Sequence, residues 1–255
     1  MSTADPATWR SVAHVMGMPV SVALRGRHAG SPTGTEAWHE VVALLESVDR
    51  DYSPYRADSW VSRVDRGEAT LGEGPAGLRE VVALGEAARR DSDGAFDVWR
   101  ADQDGRRCFD PSGVVKGWAA QRASLMLTWL PETDVCLSVG GDLVCRTADP
   151  TGTPWQVGIE HPLHPARVVA RVPVVRGGVA TSGLSHRGGH VVDARTGQVP
   201  VGIASVTVLA DDVVTADIDA TAALALGAAG PAWLRRRGRT AVVVRSDGSA
   251  EVVAA

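Results

Sequence analysis

A carboxylate and a hydroxyl stand one helical turn apart near the C-terminal end of the chain. Asp217 and Thr221 are four residues apart in a segment rich in alanine, and residues at this spacing lie on one face of a helix. Their oxygens are of the kind that a hard cation such as Mg²⁺ prefers. The segment equally suits a helix N-terminus that Thr215 or Asp217 caps, so both interpretations stay open at this point.

Lys116 is the only lysine among the 26 lysine and arginine residues. It follows the turn-forming residues 110–113, which lead into a predicted helix, and free amides at the start of a helix favour an anion. The segment lacks the phosphate-loop pattern GxxxxGK[ST]. A surface lysine on a capped helix explains this segment, taken alone, better than a phosphate site does.

His190 and Asp193 bound a short apolar pair after a glycine-rich segment. A histidine there could move a proton near neutral pH, although a core or turn histidine is the usual alternative. Ser182 together with His190 suggests a hydrolase, but the GxSxG pattern is missing. Tyr55 lies in a predicted loop, where its ring could stack on a flat ligand.

One apparent nucleotide motif is rejected. Residues 72–77 match GxGxxG formally, but no buried strand leads into them, and the dinucleotide fingerprint needs a strand, a turn and a helix in succession. A turn that opens a helix, with Pro75 near the first position, is the better interpretation.

Composition narrows the remaining function classes. The chain has 255 residues, 44% of them hydrophobic and 22% charged, with a formal net charge of −4, which gives no support to a nucleic-acid or anionic-membrane partner. Cys108, Cys136 and Cys145 lack CxxC spacing, so we expect buried, reduced thiols. No run of about 18 apolar residues predicts a membrane span. The first ten residues lack the apolar core of a signal peptide, so we expect a cytoplasmic protein.

Hydrophobic periodicity gives the elements that must position these side chains. Helical spacing predicts helices over about 37–52, 75–91, 115–130 and 216–228. Short β-branched runs predict strands at 14–16, 20–24, 135–139, 142–147, 155–160, 167–175, 190–192, 203–209 and 241–245. Because helices are concentrated early and strands late, the fold class is predicted as α+β with a mixed or antiparallel sheet. Without an internal linker, residues 1–255 are expected to form one domain.

Taken in order, nine segments resemble the ApbE family of FAD:protein FMN transferases. They are residues 16–18, 55–59, 94–97, 110–117, 140–142, 180–183, 190–197, 205–208 and 216–221. Met18 and Ala194 depart from the residues that are common in the family, and the stretch between Ser182 and His190 is short.

The resemblance implies a two-lobed α+β fold with FAD in the cleft between the lobes. It implies FAD contacts from Met16, Tyr55, Ala95, Phe96, Asp97, Asp110, Lys116 and Ser205. The metal, usually Mg²⁺, would bind the Gly113 carbonyl oxygen and the Asp217 and Thr221 side chains. Catalytic roles are implied for His190, Lys116 and Asp193, with His190 as base or phosphate contact.

The implied activity is Mg²⁺-dependent cleavage of FAD with release of AMP. The FMN half would pass to a serine or threonine hydroxyl of an acceptor flavoprotein, which the expected cytoplasmic location would make a cytosolic one. Two alternatives remain: an FAD pyrophosphatase that yields FMN and AMP, and a non-catalytic FAD-binding or carrier protein. The carboxylate and hydroxyl of Asp217 and Thr221 argue against the carrier.

Overall fold

A computed structural model of the chain describes residues 8–101, 105–184 and 191–255. The strands, in chain order, are β1 (Thr8–Val15), β2 (Met18–Gly26), β3 (Trp99–Ala101), β4 (Arg107–Phe109), β5 (Thr133–Val139), β6 (Asp142–Arg146), β7 (Trp155–His161), β8 (His164–Val174), β9 (Arg176–Gly183), β10 (Ile203–Ala210), β11 (Thr240–Arg245) and β12 (Ala250–Val253). The helices are α1 (Pro32–Tyr52), α2 (Trp60–Asp65), α3 (Ala76–Asp91), α4 (Ser112–Leu125), α5 (Val213–Ala225) and α6 (Gly230–Arg236), with a 3₁₀ turn at Gly227–Ala229.

Eight strands form one antiparallel sheet in the order β1-β2-β5-β6-β9-β10-β11-β12. Strand β10 lies inside the sheet and is buried over Ile203–Val208, as expected of a strand covered on both faces. Strands β3 and β4 form one separate hairpin, and β7 and β8 form another. The predicted α+β class is confirmed, and every pairing among the described strands is antiparallel.

The two faces of the sheet are covered differently. Helices α4 and α5 pack on one face and belong to the main hydrophobic core, together with α1 and α3. On the other face the β7–β8 hairpin contributes Trp155, Val157 and Val174 to a smaller cluster with Cys145 and Val179. The helix–sheet layer therefore carries most of the burial, and the hairpin adds a second wall.

Helices α4 and α5 approach each other closely at a glycine. A Cβ added to Gly117 would lie 2.8 Å from the Cβ of Asp217 and 3.1 Å from the carbonyl oxygen of Val213. Only a residue without a side chain permits this approach. The contact brings the start of α4, with Lys116, against the start of α5, with Asp217.

Element boundaries differ from the predictions where turns control them. Helix α4 begins at Ser112, directly after Pro111, and ends at Leu125, where residues 126–129 form a turn ahead of Pro131. The predicted strand at 190–192 is wrong for residues 191 and 192, which belong to no strand; nearby, Asp193 forms an isolated bridge with Gln198. Among the described residues, no helix is long and apolar enough to cross a membrane.

Candidate functional site

One cavity of about 920 Å³ collects nearly all the described residues that the sequence singled out. The lining includes Met16, Tyr55, Ala95, Phe96, Asp97, Asp110, Gly113, Lys116, Ser205, Asp217 and Thr221. These residues come from the β1–β2 turn, three loops, α4, β10 and α5, so the fold brings together segments that lie far apart along the chain.

Of the three predicted catalytic residues, Lys116 is the only one among the described residues that line this cavity. His190 lies outside the described residues. The carboxylate of Asp193 does not line the cavity; it forms an ion pair with Arg195 at 2.6 Å and accepts the Arg195 backbone N–H at 3.0 Å. These bonds hold the pKa of Asp193 below its usual range, against the opposing effect of its partial burial.

A buried lysine and two carboxylates form the charged centre of the cavity wall. Lys116 Nζ lies 2.7 Å from Asp142 Oδ2 and 3.2 Å from Asp217 Oδ1. Both aspartates are 1% exposed. Their second oxygens accept backbone N–H groups: Thr181 donates to Asp142 at 3.2 Å and Gly117 donates to Asp217 at 2.8 Å.

The pKa shifts in this cluster follow from burial and neighbouring charge. Burial, reinforced by the negative charge of Asp217, raises the pKa of Asp142 to about 7 although Lys116 opposes the rise. Burial acts to lower the pKa of Lys116, but the charges of Asp217 and Asp142 outweigh it and leave that pKa raised. Lys116 is therefore cationic at neutral pH, held between two buried aspartates.

Asp217 and Thr221 fit a divalent cation by chemistry and placement. The Thr221 hydroxyl lies 2.8 Å from Ser182 Oγ, which can accept its proton while a lone pair of Thr221 points elsewhere. Gly113 lies beside Thr221, since a Cβ on it would be 3.7 Å from Thr221 Cγ2 and 3.0 Å from the Phe96 ring. No three His, Cys, Asp or Glu side chains of the described residues form a metal cluster; the candidate set has one carboxylate, a hydroxyl and a carbonyl oxygen.

The helix-cap alternative for Asp217 is excluded by the start of α5. Asp212 is the N-cap residue, and its side chain accepts the Thr215 backbone N–H at 2.8 Å. Asp217 lies in the second turn, buried against α4. Its carboxylate is therefore free of any capping role and faces the cavity.

The cavity also offers aromatic and ionic groups. Tyr55 is 94% exposed at the rim, whereas Phe96 is buried and its N–H donates to Ser92 Oγ at 3.0 Å. Asp97 pairs with Arg89 at 3.1 Å. An exposed ring and a buried one along the same cavity suit a large flat ligand.

Sequence reasoning missed the roles of three residues of this site. Asp142 follows Gly140 and Gly141, both in the left-handed region at φ 59° and 98°, and that glycine pair was the available signal. Arg100 lines the cavity and contacts Asp110 at 2.8 Å, but a single arginine gives no pattern. Ser182 was weighed as a nucleophile, whereas in the structure it lies beside Thr221.

Comparisons with known proteins give a consistent result. The model of the ApbE family matches residues 16–102 and 100–244. Two curated relatives are named FAD:protein FMN transferase: that of Klebsiella pneumoniae is 33% identical over 128 residues and that of Haemophilus influenzae is 30% identical over 129 residues. Each alignment covers 46% of this chain and 37% of the relative, so the match spans well under half the length of these relatives.

Solved structures share the fold at low sequence identity. The apo form of the flavinyl transferase ApbE of Pseudomonas stutzeri is 24% identical, with a TM-score of 0.79 over 99% of this chain and 97% of that one. The ApbE protein of Thermotoga maritima is 20% identical, with a TM-score of 0.80 over 96% of this chain and 97% of its own. These likenesses establish the architecture.

Proposed function

The chain belongs to the ApbE family, and on that premise we propose that it is an Mg²⁺-dependent FAD:protein FMN transferase acting as one domain over residues 1–255. The names of the curated relatives support a flavin transferase. The observation that carries the proposal is the placement of Lys116, Asp217 and Thr221 on the wall of one cavity that is large enough for an extended ligand.

The proposed reaction is a phosphoryl-group transfer. A serine or threonine hydroxyl oxygen of the acceptor flavoprotein forms a bond to the FMN phosphorus, and the bond from that phosphorus to the bridging pyrophosphate oxygen breaks. AMP leaves with that oxygen, and the hydroxyl proton passes to a base. His190 is the proposed base from the family resemblance, with Asp193 nearby in sequence.

The residues of the chain have separate tasks in this scheme. Tyr55 would lie against the flavin ring, with Met16, Ala95, Phe96, Asp97, Asp110 and Ser205 completing the FAD contacts. Asp217, Thr221 and the Gly113 carbonyl would hold Mg²⁺, which when bound neutralises charge on the phosphoryl oxygens. Lys116 adds a buried positive charge beside the same oxygens, where low dielectric strengthens its effect.

The first experiment identifies both products. The purified protein is incubated with FAD, MgCl₂ and a candidate flavoprotein, AMP is quantified by chromatography and the acceptor is weighed by mass spectrometry. AMP together with an acceptor heavier by one FMN supports transfer. AMP with free FMN and no adduct would make the protein an FAD pyrophosphatase, and FAD recovered intact would make it a carrier.

A matched pair of acidic-residue variants tests the metal assignment. Asp217→Asn removes the charge and keeps the shape, and we expect AMP release to fall by about a hundredfold or more, the scale on which loss of electrostatic stabilisation is felt. Glu36→Gln, an isosteric charge removal at an exposed position on α1, should keep wild-type activity. An active Asp217→Asn protein would rule out this cation site.

A further inference from the structure

Lys116 is shared unequally between two buried carboxylates. Its ammonium is nearer to Asp142 Oδ2, at 2.7 Å, than to Asp217 Oδ1, at 3.2 Å. Among the described residues, this ion pair is the only polar contact of Asp142 Oδ2, which is fully buried. Asp142 itself does not line the cavity, whereas its neighbours Gly141 and Leu143 do. Asp142 therefore reaches the site through two residues that line it, the Thr181 N–H and the Lys116 ammonium, and Lys116 is the charged one.

A divalent cation on Asp217 would compete with Lys116. Both are positive and both seek the carboxylate of Asp217, whose other oxygen is occupied by the Gly117 N–H. Like charges that share one carboxylate repel each other, and the repulsion grows as the site is withdrawn from bulk water. An ammonium held by Asp217 alone would settle on that carboxylate and oppose the cation.

We propose that Asp142 is a positioning residue that holds the Lys116 ammonium at the cavity wall and thereby keeps Asp217 available to the divalent cation. The inference rests on the proposed metal-dependent function and extends it, because it assigns a task to a residue outside the cavity lining. Asp142 provides the second anchor that lets Lys116 move off Asp217 Oδ1 without leaving the site.

The backbone around Asp142 is built to place this anchor. The Gly140–Gly141 turn joins β5 to β6 in a left-handed conformation, and a Cβ on Gly140 would collide with Met18 Sδ. Asp142 is the first residue of β6, and its Oδ1 is fixed by the Thr181 N–H of β9. Its remaining oxygen therefore points to one side, where Lys116 lies.

A double-variant cycle tests the proposal with Mn²⁺ alone as the probe. Asp142→Asn is isosteric, and its carbonyl oxygen can still accept the Thr181 N–H. Free Mn²⁺ is measured by electron paramagnetic resonance at pH 8, without FAD, for the wild type, Asp142→Asn, Lys116→Met and the double variant. We expect Asp142→Asn to weaken Mn²⁺ binding about tenfold when Lys116 is present, and only about twofold in the Lys116→Met background, where no ammonium competes.

Two outcomes of this cycle would overturn the proposal. An unchanged Mn²⁺ affinity in Asp142→Asn would show that Asp217 does not depend on the anchor. An equal loss in both backgrounds would show that Asp142 acts by its own charge on the cation, without Lys116.

The single lysine permits a direct second measurement. Protein labelled with ¹⁵N-lysine has one side-chain Nζ signal, that of Lys116. In the metal-free wild type we expect a signal protected from solvent exchange, and in Asp142→Asn a shifted signal that exchanges faster. The same signal in both proteins would overturn the proposal. If Asp142→Asn does not fold, as judged by circular dichroism, Asp142→Glu is used, and its longer side chain should also move the signal.

These readouts separate the proposal from the function on which it rests. If the wild type binds no Mn²⁺, the metal assignment fails, and the metal-free Lys116 signal still decides whether Asp142 holds the ammonium. If Mn²⁺ binding follows the expected pattern but no FMN transfer occurs, the proposed function fails and the positioning role stands.

Discussion

Three buried aspartates show how the surroundings of one residue type decide its task. Asp217 faces the cavity beside Lys116, and Asp142 holds Lys116 from behind. Asp219 is only two positions beyond Asp217, but it pairs with Arg237 at 3.2 Å and Arg239 at 2.6 Å. The two aspartates of this DxD segment therefore point to different partners, and Asp219 ties α5 to the region after α6.

The raised pKa of Asp142 predicts a pH-dependent stability of the metal-free protein. Its pKa in the folded state, about 7, lies above the ordinary value of 3.8, so the folded state binds the proton more tightly than the unfolded chain. The resulting stabilisation is complete below the ordinary pKa and is lost as the pH rises through about 7, with each pKa unit equivalent to about 1.4 kcal/mol.

Urea unfolding of the wild type and Asp142→Asn at about pH 5, 6, 7 and 8 measures this effect. The wild type should lose free energy of unfolding relative to the variant as the pH rises, and the difference should level off above neutrality. A difference that is constant or grows in favour of the wild type with rising pH contradicts the assignment of the shift to Asp142.

The close contact of α4 and α5 at Gly117 predicts that the Gly117→Ala substitution, which adds one methyl group, disturbs the site. The new Cβ in Gly117→Ala would press on Asp217 and on the Val213 carbonyl, so α4 and α5 must separate. We expect a loss of about 1–3 kcal/mol in the free energy of unfolding together with weaker Mn²⁺ binding. Gly72→Ala is the control, because the nearest atom to its Cβ is Thr70 Oγ1 at 3.9 Å. Full Mn²⁺ affinity in Gly117→Ala would contradict the close-packing argument.

At the level of elements, helix α5 carries two aspartates with different tasks. Asp212 caps the helix and contributes to stability, whereas Asp217 lines the cavity and is proposed to take part in the reaction. Asp212→Ala removes the cap, and we expect it to cost about 1 kcal/mol in stability while FAD cleavage is retained. Asp211→Ala, at the exposed neighbouring position, should cost less than about 0.5 kcal/mol. Thermal unfolding and AMP release measure the two effects. If Asp212→Ala removes activity as completely as Asp217→Asn, the separation along α5 is wrong.

Periodic elements were predictable from the sequence because their signal is local. Val41 and Leu45 marked the buried face of α1 by helical spacing, and the alternation in β5 and β7 marked their buried sides. Strand β9 was not predicted, since glycine, serine and threonine give no hydrophobic alternation. Its identity as a strand depends on pairing with β6 and β10, which no local pattern contains.

The order of motifs along the sequence predicted which residues form the candidate site, but it did not predict which side chains contact one another there. The spacing of Asp217 and Thr221 gave their common helix face, but the contact between Lys116 and Asp217 joins two helices that are distant along the chain. The role of Asp142 depends on the same long-range packing. Ion pairs between elements that are distant along the chain depend on the tertiary structure. The sequence therefore identified Asp142 as part of the segment 140–142 but could not predict its contact with Lys116.

At the scale of the whole molecule, the cavity joins parts of the fold that lie far apart in the sequence. Its lining includes the exposed ring of Tyr55 after α1, Val157 and Ile159 of the β7–β8 hairpin, and Ser205 inside the main sheet. A ligand that touches all three regions adds contacts that exist only in the folded state. Its binding should therefore stabilise the molecule as a unit and protect the hairpin from opening.

Because FAD is expected to contact all three regions at once, we expect it to stabilise the protein more than AMP or FMN, its two halves, do separately. The ligand is added to the Asp217→Asn variant, in which we expect FAD cleavage to be too slow to consume it during the measurement. With FAD at about one hundred times its dissociation constant for that variant, the free energy of unfolding should rise by about 2.7 kcal/mol, seen as a higher unfolding temperature. Amide hydrogen exchange should slow in β7 and around Tyr55 at the same time.

AMP and FMN, added separately, are the controls, because each reaches only part of the cavity and should slow exchange in one region at most. If FAD raised the unfolding temperature without slowing exchange in β7, the hairpin would not be part of the binding site. The cavity would then divide into a flavin site on the main sheet and an unrelated groove beneath the hairpin.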